Sequence, residues 1–455
     1  MSSKLTWIAT AFLVVVFFLH GHDFAMATKL GVEGYYSADR VASFVELGSP
    51  QRSLAMLALG VFGGALLLHR KGARLGINRP LGNMIVFFLL WALASIAWTD
   101  DVALTSRRLI VLAILWLSAL GVAARLSLRR IICVAFLVST MFLLVGVCAE
   151  LLLGTFHPFQ AGVQYAGLDT GYRFSGTNDP NVGAWELSTM LLSAVFLFIN
   201  AKRYRVLLCA AGFGAFLFLI LSKTRTSVAA ISVCLIACRV LVTHWKITLV
   251  VMLVAALFIG GLYLTLDNTL LSIAQRTILL GREDSAATTS TLTGRIPLWT
   301  ELISVDIPKH PLAGYGYGAF WTPSLIIKLP TNGSTALNGY IDVTLELGMV
   351  GAAAYVLMLV LGAIKSVRLY KRSGNSDYLF IFAMIVFHLI TMVNDSVNVA
   401  CFPTFITLSL LAKLGFDKSY AVQQYPQVHS VWPQGISRTV RGRYQHGGSV
   451  STEGV

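Results

Sequence analysis

Long apolar stretches separated by short polar gaps run through most of this chain, and their lengths carry the first structural information. A helix crossing a bilayer needs about 20 mostly apolar residues. Segments of that kind fall near 5–20, 53–69, 81–98, 107–124, 129–153, 182–200, 204–222, 225–243, 245–266, 349–366, 377–397 and 399–413. The pattern predicts an all-α polytopic membrane protein of about twelve transmembrane helices. Two gaps are long, about 154–181 and about 267–348. In the second, "TGRIPLWTELISV" has a helix start: Thr293 can cap it and Pro297 suits its first turn. Short helices lying against the membrane surface are expected there. The transmembrane domain is read as 1–418, with 267–348 as its long extracytoplasmic loop and re-entry helix, and 419–455 as a disordered cytoplasmic tail lacking helical period.

Charge assigns sides to these segments. Cytoplasmic loops of membrane proteins collect Lys and Arg. Arg70, Lys71, Arg74 and Arg79 occupy one gap, and Arg125, Arg129 and Arg130 the next but one. Lys202, Arg203 and Arg205 follow, then Arg239 and Lys246, then Lys365, Arg368, Lys371 and Arg372. Every second gap is basic, which places both termini in the cytoplasm. Lys4 and "AMA" at 25–27 also resemble a cleavable secretory signal, but a retained first helix is the reading adopted.

Composition agrees: of 455 residues, 56% are hydrophobic and 12% charged, about half the charge of a soluble domain. The net charge of +14 is accounted for by the basic gaps, so no nucleic-acid partner is expected. The six cysteines lie in apolar segments, Cys234 and Cys238 on one helix face. That placement indicates packing, with neither a disulfide framework nor a metal site.

Against this pattern, Lys223 and Arg225 in "SKTRTS" lie on the outward side, as do Arg173 and Arg295. A guanidinium grips phosphate oxygens through two parallel hydrogen bonds and stays charged at any working pH. A lipid-linked diphosphate would offset the cost of holding such charge at the membrane. In "STALNGYIDVTLELGMVG", Asn338, Asp342 and Glu346 recur every four residues and share a helix face. Such a stripe suits either a water-filled cavity or an amphipathic surface helix. His388 and Asp395 lie seven residues apart on one helix face, with Asn394 and Asn398 nearby. They fit a packing network or a second wall of the cavity. The glycines of "HPLAGYGYGAFW" lack the Lys-Ser/Thr of a phosphate loop and suit a tight turn approaching another backbone.

Six segments in order, "WALASIAWTDDVALTSRRL", "RFSGTNDPNVGA", "SKTRTS", "TGRIPLW", "HPLAGYGYGAF" and "LNGYIDVTLELGMVG", resemble the bacterial O-antigen ligase and exopolysaccharide polymerase superfamily over roughly residues 80–400. The resemblance implies a membrane-embedded glycosyltransferase of the C type at the outer face of the bacterial inner membrane. It would act on undecaprenyl-diphosphate-linked glycan without metal or other cofactor, passing it to an acceptor glycan with inversion. Membrane lipids, and proteins of polysaccharide export and chain-length control, are the further partners it implies. Arg225 and Arg295 would contact the diphosphate, with Arg173, Lys223, Asn178 and Asn181 helping to place the donor and Asn338 orienting the acceptor. The family's ligases usually carry His-Asn where this chain has Leu337-Asn338, and that His is the suspected base. Asp342, Glu301 and His310 are the substitutes considered. The missing His favours a polymerase that joins oligosaccharide units; transfer to a lipid A-core acceptor and glycan flipping are the alternatives.

Overall fold

In the computed structural model the apolar runs fold as helices: α1 (Ser3–Gly21), α2 (Pro50–Leu68), α3 (Leu81–Ala94), α4 (Val102–Arg125), α5 (Leu128–Leu152), α6 (Pro180–Asn200), α7 (Arg205–Leu221) and α8 (Arg225–Val242). After these come α9 (Arg295–Glu301), α10 (Pro323–Lys328), α11 (Gly339–Ser373), α12 (Asp377–Thr391) and α13 (Phe402–Phe416). The structure describes residues 3–22, 49–68, 75–158, 172–200, 203–243, 295–328, 335–396 and 401–417. The expected span at 245–266, the Thr293 cap, Asn398 and the tail from 419 lie outside them. Among the described residues six helices are long and apolar enough to cross a membrane (α2, α4, α5, α6, α8 and α11), several shorter apolar helices accompany them, and there is no sheet. The chain is an all-α, multi-pass membrane protein.

At the centre of the bundle is α13, buried from Phe402 to Gly415. It packs against α3, α4, α5, α6, α11 and α12. Between α2 and α4 the backbones approach closely: a Cβ on Gly63 would come within 2.4 Å of Ser118 Cα, and Ser118 Oγ donates to Leu59 O at 2.7 Å. Small residues at such contacts let membrane helices pack without a hydrophobic driving force. Cys234 and Cys238 turn their thiols to the Ala383 and Leu379 carbonyls of α12, consistent with packing.

Cations from the basic gaps close helix ends. Arg125 Nε donates to Leu66 O, Lys413 Nζ to Ala123 O and Lys365 Nζ to Leu414 O. Arg129 reaches Phe196 O, Leu197 O and the Asp377 carboxylate. The last carbonyls of a helix lack intrahelical partners and carry the negative end of its dipole. Positive charge therefore gathers where α2, α4, α6 and α13 end.

Two segments differ from expectation. Instead of starting near 349, α11 begins at Gly339 and carries a break at Gly348 (φ 66°, ψ −175°). A Cβ there would meet Leu312 O at 2.1 Å, so the left-handed backbone and the close approach both require glycine. Residues 310–321 lie in the break: Tyr315 and Gly316 donate to Leu345 O and Glu346 O, and Met349 and Val350 donate to Pro311 O and Leu312 O. Of the glycines in "HPLAGYGYGAFW", Gly314 approaches the α11 backbone as expected, while Gly316 and Gly318 lie chiefly against the side chains of Thr99 and Arg108. The "WALASIAW" segment clamps the same loop, through Trp91 Nε1 on Leu347 O, Trp98 Nε1 on Ala313 O and Ser95 Oγ under the Tyr317 amide. The second difference is at α12, which stops at Thr391, so Asp395 lies in the following turn and not on the helix face of His388. The buried His388 Nε2 instead pairs with Tyr355 OH at 2.7 Å.

Candidate functional site

Three polar segments meet at one end of α8. The loop before α6 docks on the turn before α8: Phe174 N donates to Leu221 O at 2.9 Å and Arg173 Nε to Ser222 O at 3.1 Å. Glu150 fixes that loop, accepting from the amides of Ser175 and Gly176 and from Tyr172 OH. Lys223 turns the chain with a left-handed backbone (φ 53°), and Arg225 starts α8. From the third segment, Arg295 Nη1 donates to both the backbone and side-chain oxygens of Asn394. Asn394 Nδ2 donates to Thr226 Oγ1 at 2.6 Å. One asparagine thus bridges Arg295 to the residue beside Arg225. Arg173, Lys223, Arg225 and Arg295 are all partly buried.

Beside this cluster lies a cavity of about 680 Å³. Its charged lining residues are Arg52, Arg108, Asp179, Asp342, Glu346 and Asp395; Trp116, Trp185, Trp321, Tyr317 and Tyr355 supply aromatic wall, and Asn181 and Leu337 also face it. Asp342 and Glu346 are the stripe of α11, so the cavity reading of that stripe holds and the surface-helix reading does not. Arg108 lies against Gly318, where a Cβ would meet its Cδ at 2.1 Å.

The carboxylates differ in what they already bind. Asp342 Oδ1 accepts from Trp321 Nε1 and the Ala336 amide, and Oδ2 from Ser396 Oγ. Glu346 faces Arg108 and the Gly318 amide. Asp179 Oδ1 accepts the Asn181 amide at 2.8 Å. Asp395 Oδ1 accepts the amide of Ser396 at 3.0 Å, while Oδ2 takes no hydrogen bond from the described residues. Burial first, then the Asp179 carboxylate, pushes the Asp395 carboxyl up to about 7. The Ser396 amide and Arg295 oppose that rise, and Asp342 adds a smaller push upward.

Glu301, His310, Asn178 and Asn338 are not among the residues lining the cavity. Glu301 and His310 are exposed, outside the cavity wall, with His310 edge-on to Tyr315. Asn178, with its amide nitrogen turned to the Thr177 and Gly21 carbonyls, ties its loop to the end of α1. Asn338 caps α11: Oδ1 accepts the Tyr340 and Ile341 amides and Nδ2 donates to Val393 O. That cap commits most of its hydrogen-bonding capacity. Arg52 and Arg108 were not singled out from the sequence, although each is a cation at the start of an apolar helix, a placement that could have marked them. Among the described residues no group of His, Cys, Asp and Glu is arranged to hold a metal ion.

No curated protein matches the chain. Residues 210–356 match the model of the family described as O-antigen ligase. The matched stretch runs from α7 through the broken helix α11 and includes Arg225, Arg295, the 310–321 loop and Asp342. That match supports membership in the O-antigen ligase and polymerase superfamily.

Proposed function

We propose that the protein is a membrane glycosyltransferase that moves a glycan from undecaprenyl diphosphate to an acceptor hydroxyl. The observation that carries this reading is the Arg295–Asn394–Thr226 link, which gathers cations from separate segments beside a carboxylate-lined cavity. Arg225 and Arg295 hold the diphosphate, and Arg173 and Lys223 help to place it. As the acceptor oxygen bonds to the anomeric carbon, the bond to the diphosphate breaks and negative charge grows on the leaving oxygen. Fixed guanidinium groups stabilise that state more than the bound substrate. The reaction uses no metal. The fold is read as the C type with about twelve spans, both termini in the cytoplasm and the site at the outer face of a bacterial inner membrane.

The family description supports ligase-type transfer to a lipid A-core acceptor better than the polymerase expected from the sequence. Leu337 at the cavity wall is the observation that keeps polymerisation as the second reading. Purified full-length protein given lipid-linked oligosaccharide and rough lipopolysaccharide tests both. Glycan on lipid A-core supports the ligase, elongated lipid-linked glycan the polymerase, and release of neither product rules out the enzyme. Arg225→Ala and Arg295→Ala should abolish transfer. Arg225→Lys should retain weakened activity, because charge survives while the two-pronged grip is lost.

A further inference from the structure

Leu337, which faces the cavity beside the start of α11, cannot take the proton that the proposed reaction releases from the acceptor. Another group facing the same space must meet that need if the reaction uses it. Resting on the proposed transfer reaction, we infer that Asp395 is the acceptor base, taking the proton of the attacking hydroxyl on Oδ2.

Backbone geometry brings Asp395 to the right place. Its carbonyl accepts the Gly339 amide at 3.0 Å, so the turn after α12 lies against the start of α11, two residues from Leu337. Both side chains face the cavity. Arg295, the proposed diphosphate ligand, acts on Asp395 from α9, so base and leaving-group cation adjoin. The remaining carboxylates are less suited. Asp342 spends both oxygens on three donors, and Glu346 is faced by Arg108. Asp395 keeps one oxygen that no described donor occupies. The groups facing it are Asp179 ahead of α6, Arg295 on α9, Asp342 on α11 and the Cys401 thiol ahead of α13. In the step, the acceptor O–H bond breaks as its oxygen bonds to the anomeric carbon. The proton passes to Asp395 Oδ2, and the bonding pair departs with the diphosphate.

Asp395→Asn tests this with little disturbance, since an amide oxygen can still accept the Ser396 N–H. The full chain in nanodiscs is given undecaprenyl-diphosphate-linked oligosaccharide, with rough lipopolysaccharide in one arm and no second acceptor in the other. The variant should lose about 10²–10⁴-fold in turnover, the usual worth of a general base. It should also lose the rise of rate with pH, while binding of undecaprenyl diphosphate is unchanged. Adding Leu337→His to Asp395→Asn should recover at least about tenfold of that loss; histidine is among the residues enriched in the left-handed backbone that Leu337 adopts (φ 53°). Transfer by Asp395→Asn at the unaltered rate and pH profile would overturn the base assignment and leave the transfer reaction standing. A loss shared equally by lipid binding, with no recovery from Leu337→His, would mark Asp395 as structural. Lipid binding without transfer by the unaltered protein would remove the reaction and the assignment together.

Discussion

Arg295 grips Asn394 through two different oxygens, the backbone carbonyl and the side-chain Oδ1. A guanidinium so held has lost most of its freedom before any ligand arrives, which lowers the entropic cost of gripping a diphosphate. The same asparagine reaches Thr226, so the position of α9 is tied to the start of α8.

Replacing Asn394 by Ala removes the side-chain half of that grip and the Thr226 contact. Hydrogen bonds to charged groups contribute about 1.5–3 kcal/mol, so affinity for undecaprenyl diphosphate should fall roughly 10–100-fold. Titration of the purified variant with that lipid measures the change. Unaltered affinity would mean that Arg295 does not need this support.

Acidity offers a second measurement. If the ionised Asp395 carboxylate is the working form, turnover should rise with pH through about 7. The Asp179 carboxylate contributes to that high value. Asp179→Asn should therefore move the midpoint of the kcat profile downward, leaving more activity at mildly acidic pH. A midpoint that stays or rises contradicts the assignment.

Gly348→Ala probes the break in α11. The new Cβ would need a left-handed backbone and would collide with Leu312 O. The backbone alone costs about 1–2 kcal/mol and the collision adds to it. The variant should lose several degrees of melting temperature in detergent or fail to insert, as thermal-shift and yield measurements would register.

Most helices were legible in the sequence because a bilayer demands long apolar runs, and α4 to α8 lie within a few residues of their expected positions. Boundaries failed where polar groups satisfy one another inside the bundle. The start of α11 could not be taken from hydropathy, because Asp342 and Glu346 are accommodated by Trp321, Ser396 and Arg108. The arginines read as outward are visible in the sequence as exceptions to a charge rule. Their joining through Asn394 is not, since that contact spans 99 residues in one direction and 168 in the other. Asp395 was noticed but assigned to a helix face, because nothing in the apolar run announces that α12 ends at Thr391. Glu301 and His310 lie exposed and off the cavity wall, a placement that residue type alone does not foretell.

The lodging of residues 311–316 in the gap of α11 also constrains how a bulky polymer can come and go. Peeling this segment away would strip four main-chain bonds, those of Tyr315, Gly316, Met349 and Val350, at about 1 kcal/mol each, besides the indole anchors of Trp91 and Trp98. It behaves as a rivet, not a door. On the proposed function, long saccharides enter and leave by another route, and accelerating their passage by engineering means loosening that route while this seam stays intact.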